Sequence, residues 1–302
     1  MRKGKGMKTV LIIIAVLLIL AGAAAWFMGG FTMGGRRQTL EEALAWQSAH
    51  YDTSFYNECE KTDYTVSGFE GYELHVQLLK SPVPSDDYVI ISHGYTDNRM
   101  GALKYAGMYL DLGYNCVIWD LRGHGLNEKA FTTYGILEAR DLVCLIEDTR
   151  NRYPGLRRLG LHGESLGAAS TVTALKYRPE ADFAVADCGF SDIENVLRGA
   201  YRNYHVPGFF FDLADIGAKV RSGYALREMR PIDALDENRI PVLFIHGADD
   251  DFILPENSRR MYERAQGKKA FRLIEGAGHA ESILTDPESY REYVKDFLRQ
   301  IS

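Results

Sequence analysis

The sequence predicts an α/β fold, a doubly wound and mostly parallel sheet with an inserted helical cap, preceded by one transmembrane helix. Three observations predict it. Short apolar runs rich in β-branched residues alternate with stretches whose apolar residues recur at helical spacing. That alternation breaks once, over 191–238, and an uncharged apolar run lies near the N-terminus.

Taken in order, the chain opens with a basic segment, 1–8, carrying Arg2, Lys3, Lys5 and Lys8, followed by an uncharged stretch from Thr9 to Gly35. Its apolar heart, 10–28, would rise about 28 Å as a helix, close to the hydrocarbon thickness of a bilayer. Residues 9–28 therefore read as a signal anchor. The alternative is a secreted protein released by cleavage near Ala21–Ala25, but a cleaved signal usually has a shorter apolar core. Positive charge ahead of the span favours a cytoplasmic N-terminus and an extracytoplasmic catalytic domain in a single-pass cell-membrane protein, with Arg36 and Arg37 voting the other way. The glycines of 29–35 suggest a flexible connector, so 29–38 is expected to be a linker and 39–302 the folded domain. Thr39, Leu40, Glu41 and Glu42 form a capping box that opens a helix.

Segments 64–67 and 72–79 read as paired antiparallel strands. The runs 88–92, 116–120, 159–162, 183–187, 242–246 and 271–274 suit buried parallel strands, because such strands are covered on both faces and need no polar alternation. Stretches around 101–112, 136–152, 166–177 and 255–265 serve as crossover helices. The interval 191–238 is expected to be the cap. Its aromatics, Tyr201, Tyr204, Phe209, Phe210, Phe211 and Tyr224, either pack it onto the main domain or line an acyl or aryl wall.

Composition narrows the function classes. A formal net charge of −6 offers no cluster of cations for neutralising phosphates, so nucleic acid is not an expected partner. The four cysteines, Cys59, Cys116, Cys144 and Cys188, lie far apart without metal-ligand spacing, and Cys116 and Cys144 read as small buried hydrophobes. Neither a metal nor an organic cofactor is called for.

The chemistry resides in three motifs. Gly163, Glu164, Ser165, Leu166 and Gly167 form a GxSxG pattern after a predicted strand and before a predicted helix, the setting in which a sharp turn pushes a serine hydroxyl above the sheet. Glycines flank the serine because side chains there would collide with neighbouring backbone. A serine hydroxyl needs a base and an orienting acid. His279, in a glycine-rich loop after the last predicted strand, supplies the base. The acid falls in His246, Gly247, Ala248, Asp249, Asp250 and Asp251, where three adjacent aspartates leave the assignment open.

With these motifs in the order serine, acid, histidine, the chain resembles the α/β-hydrolase superfamily over nearly everything after the connector. The resemblance implies the α/β-hydrolase fold and gives the acid's role to Asp250, the third residue after the glycine of an HGxxDxxV-like pattern. Asp249 and Asp251 become exposed loop charges, and Asp187, at the end of a strand that supplies the acid in some relatives, is the competitor. His93, Gly94, Tyr95 and Thr96 look like the family's oxyanion loop, so the N–H groups of Tyr95 and Leu166 are the expected oxyanion hole. The segment from Asp120 to Gly125 is similar to another recurrent family stretch, with His124 in a structural role.

The implied activity is a serine hydrolase, esterase or lipase-like, cleaving carboxylic esters, lipid or acyl esters among them, through an acyl-enzyme. The same three groups would serve a peptidase or thioesterase. A binding protein built on the same fold at the membrane is the non-enzymatic alternative. The expected partners are a small-molecule or lipid ester and the membrane itself; substrate identity and oligomeric state are not readable from these residues.

Overall fold

The protein is described by a computed structural model covering residues 2–301, with side chains from Met7 onward. Eight strands make one sheet in the order β1-β2-β4-β3-β5-β6-β7-β8. They are β1 Lys61–Ser67, β2 Glu73–Leu79, β3 Asp87–Ser92, β4 Asn115–Trp119, β5 Arg158–Glu164, β6 Phe183–Asp187, β7 Val242–Gly247 and β8 Lys269–Ile274. The first two are antiparallel to their neighbours, and every pairing from β4 onward is parallel.

Why the strand sequences read as unbroken apolar runs is visible in the two cores. Ile90, Val117, Ala184, Ala186, Val242 and Phe244 point to one face, under helices α5 (Leu137–Arg152), α6 (Leu166–Ala174) and α9 (Glu256–Arg264). Their strand neighbours Val89, Ile91, Cys116, Ile118, Val185 and Leu243 point to the other, under α4 (Leu103–Asp111) and the C-terminal α11 (Pro287–Ile301). Helix α2 (Leu40–His50) starts from the capping box, with Thr39 Oγ1 accepting the Glu42 N–H and Glu42 accepting the Thr39 N–H. Two short helices, α3 (Phe55–Glu58) and α10 (Ser282–Thr285), complete the main body. Cys116 is buried as expected; Cys144, on α5, is only half-buried, and all four cysteines are unpaired.

The cap comprises α7 (Ile193–Asn203) and α8 (Phe209–Ser222) followed by 3-10 turns. The N-terminal helix α1 (Arg2–Met33) contains, over Met7–Met33, a segment long and apolar enough to cross a membrane. The side chains of Arg2, Lys3 and Lys5, on which the expected orientation partly rests, lie outside the described residues. Where the glycine content suggested a connector, the helix continues through Met33. The reason is tertiary: Gly29 lies against the backbone of Gly217 on α8, and Met33 is fully buried in the main core. Glycine here permits close helix packing and not a flexible turn.

Candidate active site

Parallel strands deliver their C-terminal ends to one edge of the sheet, and the motif residues follow β3, β5, β7 and β8 at that edge. Directly after β5, Ser165 adopts φ 52° and ψ −110°, outside the ordinary regions for a residue with a side chain. Its N–H donates to Asp187 O and its carbonyl accepts from Ala169 N–H, so the turn is held from both sides. The flanking glycines are sterically required. A Cβ on Gly163 would sit 2.2 Å from Gly167 O, and one on Gly167 would sit 2.1 Å from Ser92 O.

Ser165 Oγ lies 3.0 Å from His279 Nε2, and His279 Nδ1 lies 2.7 Å from Asp250 Oδ2. His279 can approach because its loop is pressed against the acid's loop, where a Cβ on Gly247 would meet Ala277 O at 2.3 Å. Asp250 is buried and accepts on both oxygens: Oδ1 takes the N–H groups of Phe252 and Ile253, while Oδ2 takes His279 and His246. Burial alone would raise its carboxyl pKa. The hydrogen bonds from His246 and His279, the charge of His279 and the Ile253 N–H outweigh that and hold it well below the usual carboxylate range. The flanking Asp249 and Asp251 are exposed, and Asp187 is turned toward Tyr105 and Ser282.

His246 was noted in the sequence only as the start of its motif. Buried at the end of β7, it donates Nε2–H to Asp250 Oδ2 and Ile253 O, and its Nδ1 accepts the Ser258 hydroxyl. The signal available was its spacing, four residues before Asp250. Beneath Ser165 lies a second unforeseen group. Glu164 pairs with buried Lys104 and accepts from Tyr105, whose hydroxyl also reaches Asp187. Burial, reinforced by the Glu164 charge, pushes Asp187 up to about 6.

The loop after β3 passes beside the serine, with Gly94 about one atom's contact from it: a Cβ there would stand 3.8 Å from Ser165 Cβ. His93 fixes this loop, donating Nδ1–H to Gly94 O and accepting the Leu121 N–H on Nε2. Its burial lowers its pKa to about 4, so it stays neutral in this role. Among the described residues, neither the Tyr95 nor the Leu166 N–H donates to another protein group. His124 packs edge-on against His93 and Tyr95. The Tyr95 hydroxyl accepts the Gly35 N–H at 2.9 Å, just past the end of α1.

Residues 102–300 match the prolyl oligopeptidase family. Over 303 aligned residues, 97% of this chain and 97% of the relative, the sequence is 34% identical to protein YqkD of Bacillus subtilis (strain 168), itself described as uncharacterized. It is 28% identical to protein ABHD12B of Homo sapiens over 70% of this chain and 60% of that protein, so it spans less than two thirds of that relative. Among solved structures, the Pyrococcus furiosus esterase Pf2001 superposes with a TM-score of 0.67 at 24% identity, covering 80% of this chain and 92% of that one. The Pyrococcus horikoshii acylaminoacyl peptidase gives 0.62 at 18% identity over 83% of this chain and 43% of its own. At such identities the superpositions establish a shared fold.

Proposed function

The chain belongs to the prolyl oligopeptidase family of α/β-hydrolases, and from that premise we propose that it is a serine hydrolase of carboxylic esters, held at a membrane by α1 with its catalytic domain outside the cytoplasm. The single observation that carries the reading is the unbroken hydrogen-bond path from Ser165 Oγ through His279 to Asp250. A donor on Nδ1 leaves the Nε2 lone pair facing the serine hydroxyl, the tautomer a general base requires.

In this mechanism His279 takes the Ser165 proton as Oγ bonds to the substrate carbonyl carbon. The negative charge that moves onto the carbonyl oxygen is received by the N–H groups of Tyr95 and Leu166, donors already directed before the reaction begins. Collapse breaks the bond to the leaving alcohol, which receives the proton from His279, and leaves Ser165 acylated. Water, deprotonated by the same imidazole, attacks the acyl carbon and frees the acid and the serine. Asp250, ionised at all ordinary pH values, stabilises the imidazolium in both halves. No step calls for a metal or organic cofactor.

The match to a peptidase family supports a second reading, in which the same groups act on an amide and His279 must protonate a leaving amine. Thioesters remain a third arm. Fluorophosphonate labelling of the full chain tests the core of the proposal: Ser165→Ala should abolish labelling and lower turnover by roughly 10⁴-fold or more. Unchanged labelling would refute the nucleophile, and absence of labelling in the unaltered protein would favour a non-catalytic binding role. A turnover panel of esters, thioesters and amides sharing one acyl group then separates the substrate classes.

A further inference from the structure

Cap helix α8 has three distinct sides. Phe211, Ala214 and Ala218 are buried toward the body. Along a second flank, Asp212 pairs with Arg198 at 3.1 Å, Asp215 with Arg227 at 2.7 Å and Lys219 with Glu228 at 2.9 Å. The third side is apolar and uncovered: Phe209, Ile216 and Val220 are 56%, 55% and 66% exposed, with half-buried Leu213 among them. At about 100° per residue these four fall within about 60° of one another, so they form one continuous stripe. A stripe of large aliphatic and aromatic side chains facing water on a helix whose other sides are fully used calls for an external apolar phase.

What covers it is indicated by its neighbour. Gly217, beside the stripe, is the point where α8 crosses α1, so close that a Cβ on it would lie 1.8 Å from Ala25 O. On the α1 side the crossing is at Gly29, roughly 28 Å of helix rise beyond Val10, which is where a span beginning there leaves the hydrocarbon. Trp26, Phe27 and Phe31 are exposed around it, as aromatic side chains are at a membrane–water boundary. Arg221 clamps the two helices, donating to Trp26 O at 2.8 Å with its guanidinium 4.0 Å from the Trp26 ring centre.

We propose that α8 is a second membrane contact, whose stripe of Phe209, Leu213, Ile216 and Val220 meets the lipid around the end of α1, and that the site takes amphiphilic esters presented by that bilayer. This rests on the anchor and hydrolase readings above. The site lies close to that boundary because the chain leaving α1 holds it: Tyr134 donates its hydroxyl to Thr32 O, Gly35 N–H donates to the Tyr95 hydroxyl, and the Arg37 guanidinium lies 4.3 Å from the Tyr95 ring centre.

The test uses the full chain carrying Cys59→Ser and Cys144→Ser, reconstituted in phosphatidylcholine vesicles with a minority of phosphatidylglycerol and a spin-labelled quencher lipid. Single cysteines at Leu17→Cys, Ile216→Cys, Val220→Cys or Lys219→Cys carry an environment-sensitive fluorophore. Lipid-borne quenching at 216 and 220 should exceed that at 219 by about threefold or more, with 17 strongly quenched as the span. If 17 is quenched while 216 and 220 behave like 219, the docking of α8 is overturned and the anchor stands; if 17 is unquenched, both fall. The readout is independent of catalysis. Delivery is tested separately: Ile216→Asp with Val220→Asp should cut hydrolysis of a vesicle-borne long-chain ester by about tenfold while changing turnover of a short soluble ester by less than about twofold. Equal effects on the two esters, or none, would overturn it.

Discussion

The sheet edge beneath Ser165 and the crossing of α1 with α8 are both built on glycines that let backbones touch, but their surroundings differ. Around Gly163, Gly167 and Gly247 the polar groups are buried and matched: Asp250 accepts four donors, Lys104 neutralises Glu164, and His93 spends both ring nitrogens on backbone. Around Gly29 and Gly217 the polar groups pair at the surface and large apolar side chains are left open. At the first, Asp250, Glu164 and His93 are tied to protein partners, which holds the loops around Ser165 in place. At the second, one side is left unfinished.

This contrast can be broken, most sharply by charge removal at the closed end. Asp250→Asn should lower ester turnover by roughly 10⁴-fold, because it upsets the His279 tautomer, whereas Asp249→Asn and Asp251→Asn on exposed side chains should stay within about threefold. Steady-state kinetics on the three purified variants decides it, and a large loss at either neighbour would shift the acid assignment.

A methyl group probes the two glycine contacts in turn. Gly167→Ala drives a Cβ against Ser92 O in a sheet edge that cannot yield, and should cost about 4 kcal/mol. Gly29→Ala drives one against Gly217, but two helices can slide apart, and the expected cost is about 1 kcal/mol. Thermal unfolding, at about 2 to 4 °C per kcal/mol for a domain of this size, resolves the difference. Equal shifts would erase the distinction drawn between the regions.

An effect smaller than that at Gly167 concerns pH. Asp187, raised to about 6, binds its proton more tightly in the folded chain than in the unfolded one, so its contribution is fully present below about pH 4 and is lost as pH rises through 6. Asp187→Asn should remove roughly 2 to 3 kcal/mol of that decline. Denaturant titrations at pH 4 and pH 7 measure it, and an unaltered slope would mean that the buried network does not hold Asp187 as described.

Much of this architecture is legible in the residue order. The strand runs appear as strands because residues facing two separate cores are apolar at every position, which Val89, Ile90 and Ile91 illustrate. The capping box at Thr39 is local, and it forms. In the site, Ser165 and His279 can be named from motifs because turn sterics and loop order are local properties, whereas the choice of Asp250 among three adjacent aspartates came from the family resemblance; His279 lies within hydrogen-bond reach of both Ser165 and Asp250. The partners that constrain them were less visible. Lys104 and Tyr105 sit about 60 residues from Glu164, and nothing in a helical pattern marks a lysine that will be buried under a serine turn. The cap's two helices and α11 were likewise not resolved as elements.

By itself, then, the amino-acid order determined the sheet, the sharp turn that carries Ser165 and the apolar length of α1, since each follows from side-chain periodicity or backbone sterics within a few residues. Tertiary structure alone decided that Gly29 continues a helix, that α8 lies across it, and that the end of α1 is tied to Tyr95. A glycine is compatible with either a loose connector or a tight crossing, and only the presence of a second backbone at contact distance selects between them.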